Sequence, residues 1–175
     1  MAHALAAAAA GEPAERLAAL FDSHYSRLYS LARRLAGRAD EAEDLVQETF
    51  LRAARAHVPL GPTQEEAWLV RVLVNIRRDQ WRRAAVRDRH APAMVSPRST
   101  SSGEAAFLAR STVWRALEAL PPRRRAVVIM HELEELPIRK IAALLGIRGV
   151  TARWHLSKGR RQLADVLGAH RGEGR

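Results

Sequence analysis

Ile138–Leu163, IRKIAALLGIRGVTARWHLSKGRRQL, holds two runs of helical periodicity on either side of Gly146. A short helix that crosses a second one closely needs a small residue where they touch, and Ala142 supplies it. Four residues on, the chain must turn sharply in a left-handed conformation, which glycine adopts without steric cost, and Gly146 stands there. Ile141, Leu145, Ile147, Ala152 and Leu156 fall at the spacing that fills the small core between two such helices. The spacing is that of a helix-turn-helix, with helices predicted over Ile138–Leu145 and Val150–Leu167. Many helical hairpins also contain a glycine, so a plain hairpin stays open at this point.

The outer face of the second helix carries Thr151, Arg153, Trp154, His155, Ser157 and Lys158, followed by Arg160 and Arg161. A DNA-reading helix needs side chains that reach base edges near its N-terminus and cations that reach phosphates along its length. Both kinds are present. A solvated basic helix face has the same composition, and the two readings stand side by side on this segment alone.

The 175-residue chain has a formal net charge of +10 and a pI of about 11.4, with Arg far in excess of Lys. Such a balance is the footprint of a phosphate-binding surface, although a GC-rich coding bias also enriches Arg and Ala. The absence of cysteine excludes disulfides, thiolate zinc sites and cysteine nucleophiles, and it suits a reducing cytoplasm. No run approaches the roughly 20 apolar residues that span a bilayer, so no membrane insertion is expected. The opening MAHALAAAAAGEP lacks a basic n-region, and residues 1–13 read as an unstructured start and not as a signal peptide.

Strand signals are almost absent and apolar residues recur at helical spacing, so the chain reads as all-α. A first helix is predicted from Ala14 to Leu35, with Leu17, Leu20, Phe21, Leu28, Leu31 and Leu35 inward and Gly37 ending it. A second begins at Asp40, where Asp40 and Glu43 suggest a capping box, and turns Leu45, Val46, Phe50 and Ala53 inward. The segment VPLGPTQEE, Val58–Glu66, reads as a loop, with Thr63 and Glu66 as a further capping box. A long helix follows past Trp81, with Leu69, Val72, Leu73 and Ile76 inward and Arg71, Asn75, Arg78, Asp79 and Arg82 opposite. APAMVSPRSTSSG, Ala91–Gly103, has two prolines, a serine-rich run and no helical period, and marks a flexible linker over residues 90–104. Beyond it, helices are expected over Glu104–Leu120, stopped by Pro121, and over Arg123–Leu133.

FDSHYSRLYSLARRLAG (Phe21–Gly37), DEAEDLVQETFLRAAR (Asp40–Arg55) and AWLVRVLVNIRRDQWRR (Ala67–Arg83) together resemble region 2 of bacterial sigma-70 factors, most closely the extracytoplasmic-function (ECF) group. The stretch from ALEALPPRRRAVVIMHELEELPIRKIAALLG (Ala116–Gly146) onward resembles sigma region 4. The resemblance covers Ala14 to Leu167 in the family's order. It implies two small helical domains, a region 2 bundle over 14–89 and a region 4 helix-turn-helix over 105–168, with a tail from residue 169.

The resemblance implies roles residue by residue. Asp40, Glu41, Glu43, Asp44, Leu45, Gln47 and Glu48 match the surface by which sigma factors dock on the β′ clamp helices of core RNA polymerase, and region 4 meets the β flap. Acidic residues in a first helical turn are also favoured by the helix dipole alone. The family's loop before the third helix, here Val58–Glu66, captures a base extruded from the −10 element. Trp68, Arg71, Asn75, Arg78, Arg82 and Arg83 suit the melted strand, and an amide such as that of Asn75 pairs bidentately with adenine. For Trp68, simple packing at a helix start is an equal reading. At the −35 element the resemblance places Arg148, Thr151, Arg153, Trp154, His155, Ser157, Lys158 and Arg161. Most relatives have Gly-Thr-Val and then Ser-Arg-Leu across this helix, where this chain has Val150, Thr151, Ala152 and then Trp154, His155, Leu156, so the −35 bases do not follow. The implied partners are core RNA polymerase, promoter DNA and an anti-sigma factor, with no cofactor.

An enzymatic reading finds little. HELEE at His131 begins like a zinc-protease helix, but Glu135 stands where the second histidine belongs. The competing reading is a conventional helix-turn-helix regulator whose first module senses a ligand or dimerises. Such a regulator has no use for an acidic patch beside a basic, asparagine-bearing helix.

Overall fold

The computed structural model describes residues 2–56, 62–90 and 112–172, and among them the chain is entirely helical outside its turns. In chain order the helices are α1 (Ala2–Ala36), α2 (Ala39–Ala56), α3 (Pro62–His90), α4 (112–118), α5 (Pro122–Glu132), α6 (Ile138–Leu145) and α7 (Gly149–Gly172). The all-α expectation holds. Residues 58–61 of the expected loop, the core of the expected linker and residues 104–111 of the expected fourth helix lie outside the described residues. By compactness the chain divides into Met1–Ile76 with Ala143–Gly146, and Arg77–Ala142 with Ile147–Arg175.

In the first unit α1 packs against α2. Leu28, Leu31, Ala32 and Leu35 of α1, Ala42, Leu45, Val46 and Phe50 of α2, and Leu69, Val70, Leu73, Val74 and Ile76 of α3 form the buried core. Their spacing of three, four and seven residues keeps one stripe of each helix inward, and each buried leucine contributes roughly 1.5–3 kcal/mol. Thr49 is buried among them with its hydroxyl donating to the Leu45 carbonyl at 2.7 Å, which satisfies that hydroxyl inside the core. His24 lies 3.5 Å from Glu65, and Arg27 lies 3.4 Å from Glu66, linking α1 to the first turns of α3.

Several local expectations are corrected. Helix α1 starts at Ala2, well ahead of Ala14, because the alanine run has the highest intrinsic helix propensity of any residue type. Phe21 is 42% exposed and not part of the buried stripe. The Asp40 capping box does not form. The Arg38 carbonyl accepts the first helical bond of α2, from Ala42, so Asp40 sits inside the first turn, its carboxylate taken by Arg38. Helix α3 begins at Pro62, whose fixed φ and missing N–H suit a first turn, so Glu66 is helical and pairs with Arg27. Val72 is only half-buried, and the inward residues are its neighbours Val70 and Val74. Gly37 ends α1 as expected, with φ +84 and its N–H donating to the Arg33 carbonyl at 3.1 Å.

The second unit is built on α5, which buries Ala126 to Met130 without a break and packs along α7. Pro122 opens α5 after Pro121, as the two prolines require. Arg125, 2% exposed, turns its guanidinium back onto the carbonyls of Glu118 and Leu120, the orphan acceptors at the end of α4. A buried cation is tolerable there because it meets the negative end of a helix.

Candidate functional site

The turn between α6 and α7 has the geometry that the sequence requires. Gly146 has φ +62, its N–H donates to the Ala143 carbonyl at 3.2 Å, and the Ile147 N–H donates to the Ala142 carbonyl at 3.0 Å. That pair of bonds is a Schellman cap, and it stops α6 after Leu145. Pro137 starts α6 with its carbonyl accepting from Ile141, and Arg148 starts α7 by accepting from Ala152. Ile141, Ala142, Leu145, Ala152 and Leu156 are buried as expected, while Ile147 is half-buried.

Helix α7 turns Ala152, Leu156 and Gly159 inward. Gly159 rests on α5 so closely that an added methyl would overlap Val128 Cγ2 and press on Arg124. Facing away are Val150, Arg153, Trp154, Ser157, Lys158 and Arg161, all exposed, with Arg148 exposed just before the helix and Thr151 half-exposed. The sequence-predicted −35 residues are therefore brought together on one outer side, His155 being the exception. His155 leans toward α5, where burial and the nearby Arg124 and Arg123 hold its imidazole below the ordinary histidine value of 6.5. Its Nδ1 is enclosed without a hydrogen-bond partner. Arg160 bonds to Glu132 at 2.7 Å and ties α7 to α5.

Sequence reasoning gave Arg124 no role, yet it is central to this face. Its guanidinium lies 5.4 Å from the centroid of the Trp154 ring and donates to the Gln162 side chain. The indole also meets His155 edge-on, at 4.9 Å between centroids. The available signal was the run Arg123–Arg125 directly after two prolines, where a first helical turn points its side chains back past the helix start. Gly159 was also legible, since a mid-helix glycine on the inward period implies a close approach.

In the first unit, α2 presents Asp40, Glu43, Asp44 and Gln47 to solvent, with Glu41 and Glu48 half-exposed. Asp40 is bonded by Arg38 at 2.7 and 3.0 Å, which holds its carboxyl below the usual range, and Glu48 pairs with Arg52 at 2.8 Å. Leu45 is fully buried, as the helical period of α2 predicts, so it lies in the core and not on the exposed acidic face itself. Beside Glu43 and Gln47 runs an apolar groove of about 380 Å³, lined by Leu17, Phe21, Tyr25, Val46, Phe50 and Leu51. In its aromatic wall Phe21 stacks on Tyr25, 4.7 Å between ring centroids, and meets Phe50 at a tilt, 4.9 Å away.

On α3, helical spacing sets Arg71, Asn75, Arg78 and Arg82 along one side, with Arg83 adjacent. Arg71, Arg82 and Arg83 are exposed, and Trp68, Asn75 and Arg78 are half-buried. Arg71 Nε donates to the Ala67 carbonyl at 3.2 Å, and Arg78 lies 3.4 Å from Asp79. Trp68 is thus neither a fully packed residue nor a free platform. His131, from the motif that resembled a zinc helix, donates its Nδ1–H to the Leu136 carbonyl at 3.0 Å and braces the turn after α5.

Comparison with known proteins gives consistent matches. Residues 20–87 match the family Sigma-70 region 2, and residues 110–163 match Sigma-70, region 4. The ECF RNA polymerase sigma factor SigL of Mycobacterium tuberculosis is 35% identical over 164 residues, covering 91% of this chain and 93% of that protein. SigE of Mycolicibacterium smegmatis is 35% identical over 160 residues, and the alignment spans 88% of this chain and 62% of SigE. Among solved structures, CnrH in complex with the cytosolic domain of CnrY aligns with a TM-score of 0.59 and 27% identity, covering 94% of this chain and 96% of CnrH. The sigma factor RpoE in complex with the anti-sigma factor NepR from Bartonella quintana shares the fold, with a TM-score of 0.59, 22% identity and coverage of 88% and 95%.

Proposed function

The chain belongs to the ECF group of the sigma-70 family, and from that premise we propose that it binds core RNA polymerase, recognises promoters through −35 and −10 elements and promotes their melting. The observation that carries this reading is the order of the two modules, region 2 before region 4, in one chain. Residues 14–89 then serve polymerase docking and −10 recognition, 90–104 link, and 105–168 read the −35 element.

Exposed Glu43, Asp44 and Gln47, with Asp40, Glu41 and Glu48 around them, offer the β′ clamp helices an acidic face. Cationic Arg71, Arg78, Arg82 and Arg83 suit the phosphates of a melted strand, and Asn75 and Trp68 suit its bases. Stacking and charge there offset the few kcal/mol that extruding a base costs. Arg153, Ser157, Lys158 and Arg161 on α7 suit the major groove. Region 4 would also meet the β flap. An anti-sigma factor belongs to the proposal, since the similar RpoE structure holds one, and so does a cytoplasmic site of action. Among the described residues no helix is long and apolar enough to cross a membrane.

Run-off transcription with purified core enzyme on a pool of genomic promoters tests the reading. Discrete start sites that depend on the chain are expected; a pattern no different from core enzyme alone would overturn it.

A further inference from the structure

The outer side of α7 carries an apolar pair inside a basic frame. Val150 is 69% exposed and Trp154 50% exposed, and they stand one helical turn apart. Arg148, Arg153, Ser157, Lys158 and Arg161 surround them, all exposed. Cations alone suffice for phosphates, so two large apolar side chains in their midst call for a separate explanation. Neither contributes to the core of the unit, which is filled by Ala152, Leu156 and the α5 side chains.

We propose that Val150 and Trp154 form a reader of thymine C5-methyl groups in the −35 element, a specificity that rests on the promoter-binding reading above. In the major groove thymine is the one base that presents a methyl group, and apolar side chains are its natural contact. Val150 and Trp154 lie in the first two turns of α7, the part of a recognition helix that meets base edges. The flanking cations match the charge of the groove walls, which favours DNA over an apolar protein partner for this patch.

Arg124 acts as a positioning residue. It sits over the indole at 5.4 Å, while its own guanidinium is held by Gln162. A cation–π contact of this kind fixes the ring before DNA arrives, so less side-chain freedom is lost on binding. His155 closes the ring's edge at 4.9 Å. The exposed half of the indole and the Val150 side chain together leave a small apolar surface of the size that one or two methyl groups cover.

The test uses the full chain assembled with core RNA polymerase. Preferred −35 sequences are first selected from a random duplex pool, and each thymine is then replaced singly by deoxyuridine, which removes the methyl and nothing else. At one or two thymines the replacement should weaken binding about fourfold, corresponding to ~0.8 kcal/mol for one buried methyl-sized group. In Trp154→Ser and Val150→Ser the ratio between the thymine and uracil duplexes should collapse toward one, whereas Trp154→Phe, which keeps an apolar ring, should retain it. Indifference of the wild-type enzyme to every replacement would overturn the proposal, as would a selected element without thymine or an unchanged ratio in both serine variants. Failure to enrich any −35 sequence, with assembly on core intact, would instead overturn the promoter-binding reading beneath it.

Discussion

His155 shows how one side chain couples α7 to the body of its unit. Burial and the facing Arg124 and Arg123 lower its affinity for a proton, so the imidazole is neutral at pH 7. The unfolded chain binds that proton more readily, which sets the sign: the stabilisation is complete above the unfolded value near 6.5 and is lost as pH falls through the lowered folded value. Melting temperatures measured at pH 7.5 and 5.5 should therefore fall more for the wild type than for His155→Gln. Equal losses would mean that neither burial nor the two arginines lowers the ring's affinity for a proton. Arg125, two residues from Arg123, is opposite in character. It is buried as a cation, with its guanidinium donating to the Glu118 and Leu120 carbonyls.

At the scale of the element, Gly159 decides how closely α5 and α7 approach. Alanine at a helical glycine ordinarily adds ~1 kcal/mol through propensity. Here the added methyl meets Val128, itself buried, and overpacking costs ~1–3 kcal/mol. The clash should win: Gly159→Ala is expected to lower the melting temperature by a few degrees. Gly168→Ala on the same helix, with nothing within 4 Å of the new methyl, should hold or raise it. Circular-dichroism melts of both variants decide, and a gain at position 159 would show that α5 yields. Most helices were legible because their apolar residues keep strict period, and the turns at Gly37 and Gly146 were legible because only glycine suits a positive φ. Helix starts were read less well. Asp40 looked like a cap but is drawn to Arg38, and the start of α1 depends on alanine propensity, which carries no apolar stripe. Phe21 was misplaced because periodicity says which side of a helix is apolar, but not where along its length a neighbour ends, whereas Leu45 is buried as its period requires.

Across the whole chain, charge is unevenly distributed among the helices: Asp40, Glu41, Glu43, Asp44 and Glu48 gather on α2, while Arg71, Arg78, Arg82 and Arg83 lie on α3 and Arg153 and Arg161 on the outer side of α7. In the proposed function this distribution directs α2 to a basic protein surface and the other two to DNA. Asp44→Arg, an exposed substitution, should leave thermal stability within ~0.5 kcal/mol of wild type. It should weaken assembly with core polymerase about tenfold or more, the effect of ~1.4 kcal/mol of like-charge repulsion. Unchanged affinity by fluorescence titration would remove α2 from the docking surface. The long helix α3 has a further consequence. Its fully buried side chains end at Ile76, and none from Arg77 to Arg87 is buried. Architecture therefore constrains the first half of that helix, while the second half is open to drift at little cost to the fold. Under the proposed function, mutation can rewrite those positions one at a time, and a lineage can explore new promoter preferences on this stretch without first having to acquire compensating changes in the core.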